Sequence, residues 1–415
     1  MPRAPVPWAE ALRGRLRPMF VAFEARNFRY LALSTLSLGM AQWAQQIGLT
    51  WLALQLTGSA VEVGVVSAFS AGPGVIAAPI GGYLADRFRR RTVLVWTTSA
   101  SAVQATILAV LVVTGRIELW QLYALAITGG VLQSITQPAR QAFVYDVSTD
   151  ETLANAVAMN SGMQSLARVA GPPAIGAMIV LSTAAPFIFM AFAQLIAMTL
   201  TLRISTQTRQ AQATLGGSPI RQIVEGVQAV RHDRRILGLI VMWGIVSLII
   251  FPYVPFLAVV SKDVLHTGNA GYGLLASMAG WGAILGLLYM TWWGEFQHKG
   301  WAMILNYVVY GLVLIVLAFS TNLALSLLML ILAGFFSSIS NTLNQTLLQL
   351  ITDNHVRGRV MSIWQLCQGL QPLGALPMGF LIAYAGPQIG IGAFMVAGTL
   401  AIIVYGLAWT SVRRL

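Results

Sequence analysis

Charge is scarce in this chain. Of its 415 residues only 9% are Asp, Glu, Lys or Arg, while 57% are apolar. A soluble domain carries roughly 25% charged residues. A water-facing surface of that kind cannot be built here, which excludes an ordinary cytosolic enzyme and a disordered chain. Acid is scarcer than base: 13 Asp and Glu stand against 25 Lys and Arg, a net charge of +12. A single cysteine, Cys367, excludes an internal disulfide and a cysteine-built metal centre. The four histidines, His232, His266, His298 and His355, lie in polar connections without metal-ligand spacing. No Gly-x-x-x-x-Gly-Lys-Ser/Thr loop occurs, so ATP is not expected as the direct energy source and no cofactor is expected.

What is present is apolar and long. One bilayer crossing takes about 20 apolar residues. Twelve such stretches run over about 30–56, 60–84, 92–114, 119–142, 156–181, 186–203, 236–260, 271–293, 301–320, 322–347, 359–384 and 388–410, numbered here as spans 1 to 12. The first is too long for a signal-peptide core and lacks a small-residue cleavage pattern, so it reads as an uncleaved span. The chain is expected to be an all-α, multi-pass membrane protein, and its high net charge is read as topology rather than as nucleic-acid binding.

Lys and Arg collect on the cytoplasmic side of membrane proteins. With both termini inside, Arg116 and Lys262 alone fall on the outer side, and Arg168 falls within a span. Arg140 counts as a cytoplasmic residue in this reading. One missed span in the middle would scramble the segregation.

The longest interior polar stretch holds Ile220, Ile223, Val224, Val227 and Val230 at helical spacing, an amphipathic helix for the cytoplasmic membrane face. It separates six spans from six. A shift of 203 positions superposes Asp150 on Asp353, Val157 on Val360, Gly171 on Gly374 and Gly176 on Gly379, an internal repeat with the same division. The expected organisation is a basic segment 1–29, a six-helix bundle 30–203, a linker 204–235, a second bundle 236–410 and a tail 411–415.

Between spans 2 and 3 stands Gly82-Tyr-Leu-Ala-Asp86-Arg87-Phe-Arg89-Arg90-Arg91. This resembles the loop signature of the major facilitator superfamily, with Arg89 where a small residue is usual. Arg26-Asn-Phe-Arg29, Leu56-Thr-Gly-Ser59, Leu153-Ala-Asn-Ala156, Gly171-Pro172 and Arg357-Gly-Arg-Val-Met-Ser362 resemble the branch that holds enterobactin-type siderophore exporters and macrolide efflux pumps. The resemblance implies two pseudo-symmetric six-helix bundles with a substrate site between them near mid-depth. It also implies proton-coupled efflux of a small amphipathic compound from a bacterial inner membrane, by a monomer that works in the lipid bilayer and binds no nucleic acid. An uptake permease has the same fold.

Asp86 is expected at the cytoplasmic end of span 2, near the start of span 11 at Gly358 and Arg359. A helix N-terminus presents unpaired N–H groups and about half a positive charge. A carboxylate docked there would latch the two halves on the inside in one state only and so bias alternating access. Gly82, Arg87, Arg90 and Arg91 complete the motif, with Asp146 or Asp150 as partners for the arginines. The alternative is that these residues are positive-inside anchors.

Arg168 is the one charge expected near the middle of a span, and such a charge is costly unless it faces a cavity or a partner. Asn160, Gln164 and Arg168 form a polar stripe on span 5, and Gly171-Pro172 is expected to bend that helix. Gln42 and Gln46 on span 1, Gln133 on span 4, Gln345 on span 10, and Trp364 and Gln368 on span 11 mark similar stripes. They are candidates for the cavity wall or for hydrogen bonds between helices. Trp43, Trp243, Trp281 and Trp364 lie deep in their spans and are candidates for an aromatic wall or ordinary packing. Glu62 tempts as a proton carrier, but Ser59-Ala-Val-Glu62 is a capping-box pattern. The dispersed histidines argue against a membrane-embedded enzyme.

Overall fold

The computed structural model describes residues 17–149, 151–205, 219–293, 298–353 and 356–413. The side chains of residues 17–20, 75–76, 78–86, 154, 219–225 and 293 lie outside this description. Asp86 is among them, and Asp150 lies outside altogether, so no side-chain contact of the latch or of that arginine partner is on view.

The described residues form helices joined by short connections, with no strand among them. Spans 1 to 6 are the helices Arg26–Thr57, Ala60–Arg87, Arg90–Val113, Leu119–Val147, Leu153–Leu181 and Ala185–Arg203. Span 7 runs from Arg234 to Val264, and spans 8 to 10 are Gly268–Trp293, Lys299–Phe319 and Leu323–Ile351. Span 11 is a broken pair, Arg357–Gln368 and Gln371–Ala385, and span 12 is Pro387–Ala408. Eight of these, spans 3 and 6 to 12, are long and strongly apolar among the described residues. Spans 1, 4 and 5 are 29 to 32 residues long and carry the amides and arginines described below.

The packing repeats itself. In the first half span 1 packs on 5 and 6, span 2 on 4, and span 3 on 4 and 6; in the second half span 7 packs on 11 and 12, span 8 on 10, and span 9 on 10 and 12. The contacts between halves obey the same symmetry: span 5 meets span 8, and span 2 meets span 11. The architecture is two pseudo-symmetric six-helix bundles.

Two spans depart from a plain α-helix. In span 7, Val246–Ile250 and Val260–Val264 form wide turns. Pro252 has no N–H to give the Leu248 carbonyl, and that carbonyl faces Gly374 of span 11. Span 11 breaks at Gly369-Leu370, just before Pro372. The helix Leu153–Leu181 runs on through Gly171-Pro172, where the bend is expected. Gly171 also serves a close approach, since a β-carbon there would overlap the Trp43 ring.

Three local expectations are corrected. Arg140 is not at the end of its span. Span 4 continues to Val147, so Arg140 lies about two turns inside it and is 2% exposed. Glu62 makes no capping box with Ser59; its carboxylate accepts a hydrogen bond from the Tyr123 hydroxyl of span 4. The capping box in this region belongs to Glu118 and Gln121 at the start of span 4. The linker helix Pro219–His232 forms, but its Gly226 packs against the Arg359 carbonyl and Ile363 of span 11, so protein covers part of it.

Candidate functional site

A chamber of about 510 Å³ lies between the two bundles, lined by spans 1, 3 to 8, 10 and 11. That is the size of a pocket for a drug-sized ligand. Its wall is dominated by uncharged amides, twelve glutamines and Asn341. Gln42, Gln45 and Gln46 come from span 1, Gln133 and Gln137 from span 4, and Gln164 from span 5. The second bundle supplies Gln345 from span 10 and Gln365, Gln368 and Gln371 from span 11. Trp43 and Trp243 add aromatic surface.

Two residues expected at the wall stand behind it. Asn160 is buried and accepts a hydrogen bond from Thr35 Oγ1 at 3.0 Å. A residue eight places before Arg168 is rotated by roughly 80° around the helix, which turns Asn160 from the chamber toward span 1. Trp364 stacks on Trp243, ring centroids 5.0 Å apart and 8° from parallel. Trp243 Nε1 donates to the Trp364 carbonyl at 3.2 Å, and Trp364 Nε1 donates to Asn344 Oδ1 at 3.0 Å. Trp364 therefore fixes the Trp243 ring that lines the chamber and ties spans 7, 10 and 11 together. Trp281 is 52% exposed and does not line the chamber.

Both chamber cations come from the first bundle. Arg168 lines the wall, is open to it, and has no hydrogen bond or ion pair among the described residues. Arg140 was missed as a site residue. Its Nη1 donates to Ser34 Oγ at 3.1 Å and Thr35 Oγ1 at 3.5 Å, both neutral. The missed signal was the apolar series Ala139, Phe143, Val144 and Val147, which carries a buried helical face past Arg140.

Toward the face opposite the basic loops the chamber is closed. Thr50 and Tyr272 share a hydrogen bond at 3.0 Å, and Tyr272 stacks on Trp51 with centroids 4.9 Å apart. Gln55 Nε2 donates to Asn269 Oδ1 at 3.2 Å, and Lys262 Nζ donates to the Leu54 carbonyl at 3.4 Å. Ser277 Oγ donates to the Pro173 carbonyl at 3.2 Å, and a β-carbon on Gly379 would touch the Ala60 carbonyl at 3.0 Å. These contacts between bundles all lie in the half of the molecule away from the basic loops.

At the basic face, Arg90 Nη1 pairs with Asp146 Oδ1 at 3.1 Å. Among the described residues Arg91 takes no acid partner; its guanidinium donates to the carbonyls of Ile204 at 2.7 Å and Leu202 at 3.2 Å. These are orphan carbonyls at the C-terminus of span 6, a favourable place for a cation. Gly82 lies within span 2, Arg87 ends it, and Gly358 and Arg359 lie in the first turn of span 11.

A profile of the transmembrane secretion effector family matches residues 18–413. The chain belongs to this family of major facilitator transporters. It is therefore a membrane transporter of small molecules and not an enzyme. It is 26% identical over 361 residues to the staphyloferrin A transporter of Staphylococcus aureus, covering 84% of this chain and 88% of that one. It is 23% identical over 401 residues to the multidrug efflux pump Tap of Mycolicibacterium fortuitum, covering 93% and 95%. Among solved structures it superposes on a bacterial homologue of the human lysosomal transporter Spinster, captured inward-facing and occupied. The TM-score is 0.72 at 13% identity, over 94% of this chain and 97% of that one.

Proposed function

We propose that this transporter is an exporter of a small amphipathic compound, such as a siderophore, drug or metabolite. It works by alternating access in a bacterial plasma membrane and is driven by the proton gradient. The observation that carries the reading is the one-sided seam. A chamber large enough for a drug-sized molecule lies between two bundles whose mutual contacts, among the described residues, gather on one side of it. Rocking the bundles about the chamber would break that seam and close the other. The efflux pump Tap supports export, and the staphyloferrin A transporter supports a siderophore-like compound as cargo; both are similar over more than four-fifths of the chain.

In this reading the basic face is cytoplasmic, with both termini on it, and the protein works as a monomer. Residues 30–203 and 236–410 are the moving bundles and 204–235 joins them. Asp86 docks on the N-terminus of span 11, near Gly358 and Arg359, when the cytoplasmic side closes. Arg90 with Asp146, and Arg91 on span 6, hold the loop in register for that docking.

The test is counterflow in proteoliposomes with an imposed pH gradient, screened over siderophores and drugs. Export predicts that substrate accumulates on the side facing away from the basic loops when protons flow the other way. Accumulation toward the basic side under the same gradient would make the protein an uptake permease.

A further inference from the structure

We propose that the compound carried is an organic anion with more than one negative group, held by Arg140 and Arg168. This deepens the exporter reading and rests on it for the direction of movement.

The first observation is a charge imbalance. The described chamber wall holds two arginines and no Asp, Glu, His or Lys. The sequence sharpens this, because no acid lies in the middle of any span. Glu62, Asp86, Asp146 and Asp263 are the acids within spans, and each stands within a turn of a helix end. No carboxylate can therefore reach mid-depth from these helices.

The second observation is that neither guanidinium meets an acid among the described residues. Arg140 is 2% exposed and gives its described hydrogen bonds to two hydroxyls, while Arg168 gives none. A buried charge is ordinarily paired, because desolvation is costly and neutral hydrogen bonds recover only part of it. Two unpaired cations in one water-accessible chamber are what an anionic ligand completes. Arginine's planar fork also suits carboxylate, sulfonate or phosphate oxygens.

The third observation is spacing. Thr35 links Arg140 to Asn160, which places these at one depth. Arg168 follows Asn160 by eight residues, a rise of roughly 12 Å along span 5. Gln164 and Gln137 lie between the two levels. The site thus fits a long molecule with an anionic group toward each end and a hydrogen-bonding middle. A compact monoanion would leave one arginine unpaired.

The potential of the chamber can be read without any transport. Cys367 is the single cysteine, so Cys367→Ala supplies a thiol-free background and Gln164→Cys places one thiol between the arginines. The purified full-length protein is treated with two methanethiosulfonates of similar size, one carrying a sulfonate and one a trimethylammonium. Rates are normalised to those with a free thiol. The anionic reagent should react at least about tenfold faster. Arg168→Gln should remove most of that preference, Arg168→Lys should keep it, and sebacate, a long dicarboxylate, should protect the thiol where 1,10-diaminodecane does not. Arg140→Gln should act like Arg168→Gln; if it fails to fold, the Arg168 pair decides alone. Equal rates, a preference for the cationic reagent, or a preference unchanged in Arg168→Gln overturns the proposal. Anionic preference with sebacate protection but no counterflow of labelled sebacate would uphold the anion site and defeat the exporter reading.

Discussion

Gly176 of span 5 and Gly273 of span 8 lie backbone against backbone, so that a β-carbon on either would overlap the carbonyl oxygen of the other. The two bundles touch here, on the side away from the basic loops. Gly379, which the internal repeat equates with Gly176, makes the corresponding approach to span 2 at the Ala60 carbonyl. Small residues let helices in lipid approach this closely.

Widening that seam should shift the balance of states. Gly273→Val cannot pack against Gly176, so the state closed on the side away from the basic loops loses stability while the opposite state does not use the contact. Thiol labelling of a chamber cysteine by an impermeant reagent added from that side should rise several-fold in the variant. Unchanged labelling with intact protein would show that the crossing does not govern access.

The Arg90–Asp146 pair offers a test of the basic loop. Asp146 is 7% exposed, so losing Arg90 strands a buried carboxylate. Arg90→Ala should lower stability by about 1.5–3 kcal/mol, read as thermal unfolding in detergent. Asp146→Asn combined with Arg90→Gln should recover part of the loss, since no charge is then left alone.

Much of this molecule is legible in the sequence, and the limits have physical causes. The twelve spans follow from apolar runs, and the amide-rich wall follows from Gln42, Gln133, Gln345 and their neighbours, because amides deep in a bilayer either line a wet cavity or bond between helices, as Asn160 and Asn344 do. A stripe at i, i+4, i+8 drifts by about 40° per step. That drift puts Asn160 behind the wall that Arg168 lines. Arg140 was hidden by its position near a helix end, where any arginine reads as a topology signal. The stacking of Trp364 on Trp243 is a contact between two spans and leaves no local trace.

That stack should matter to the chamber indirectly. Trp364→Ala removes a buried ring and leaves Asn344 short of a donor, at a cost of about 3–5 kcal/mol. Trp364→Phe keeps the ring stack but loses the hydrogen bond to Asn344, at about 1–3 kcal/mol. Both should weaken substrate binding through the loosened Trp243 ring, as a shift in half-saturation larger than any change in maximal flux. Equal half-saturation in all three proteins would mean that Trp243 does not meet the substrate.

Glu62 accepts the Tyr123 hydroxyl at the ends of spans 2 and 4 that face away from the basic loops, and it does not line the chamber. Glu62→Gln should therefore leave the dependence of flux on an imposed pH gradient in place, with a modest loss of thermal stability. Loss of that dependence at full expression would make Glu62 the proton carrier.

The central claim is that the two bundles exchange between states closed on opposite faces, with Asp86 stabilising the one closed on the basic side. Spin labels at Phe88 and Ser362, both exposed near the basic ends of spans 2 and 11, report that exchange directly as a distance distribution by pulsed electron resonance. The account predicts two distances, one short and one long. It also predicts that Asp86→Asn moves population to the long one by roughly 2- to 5-fold, the effect of about 0.5–1 kcal/mol lost at a helix N-terminus. A single distance, the same in wild type and Asp86→Asn, would contradict it.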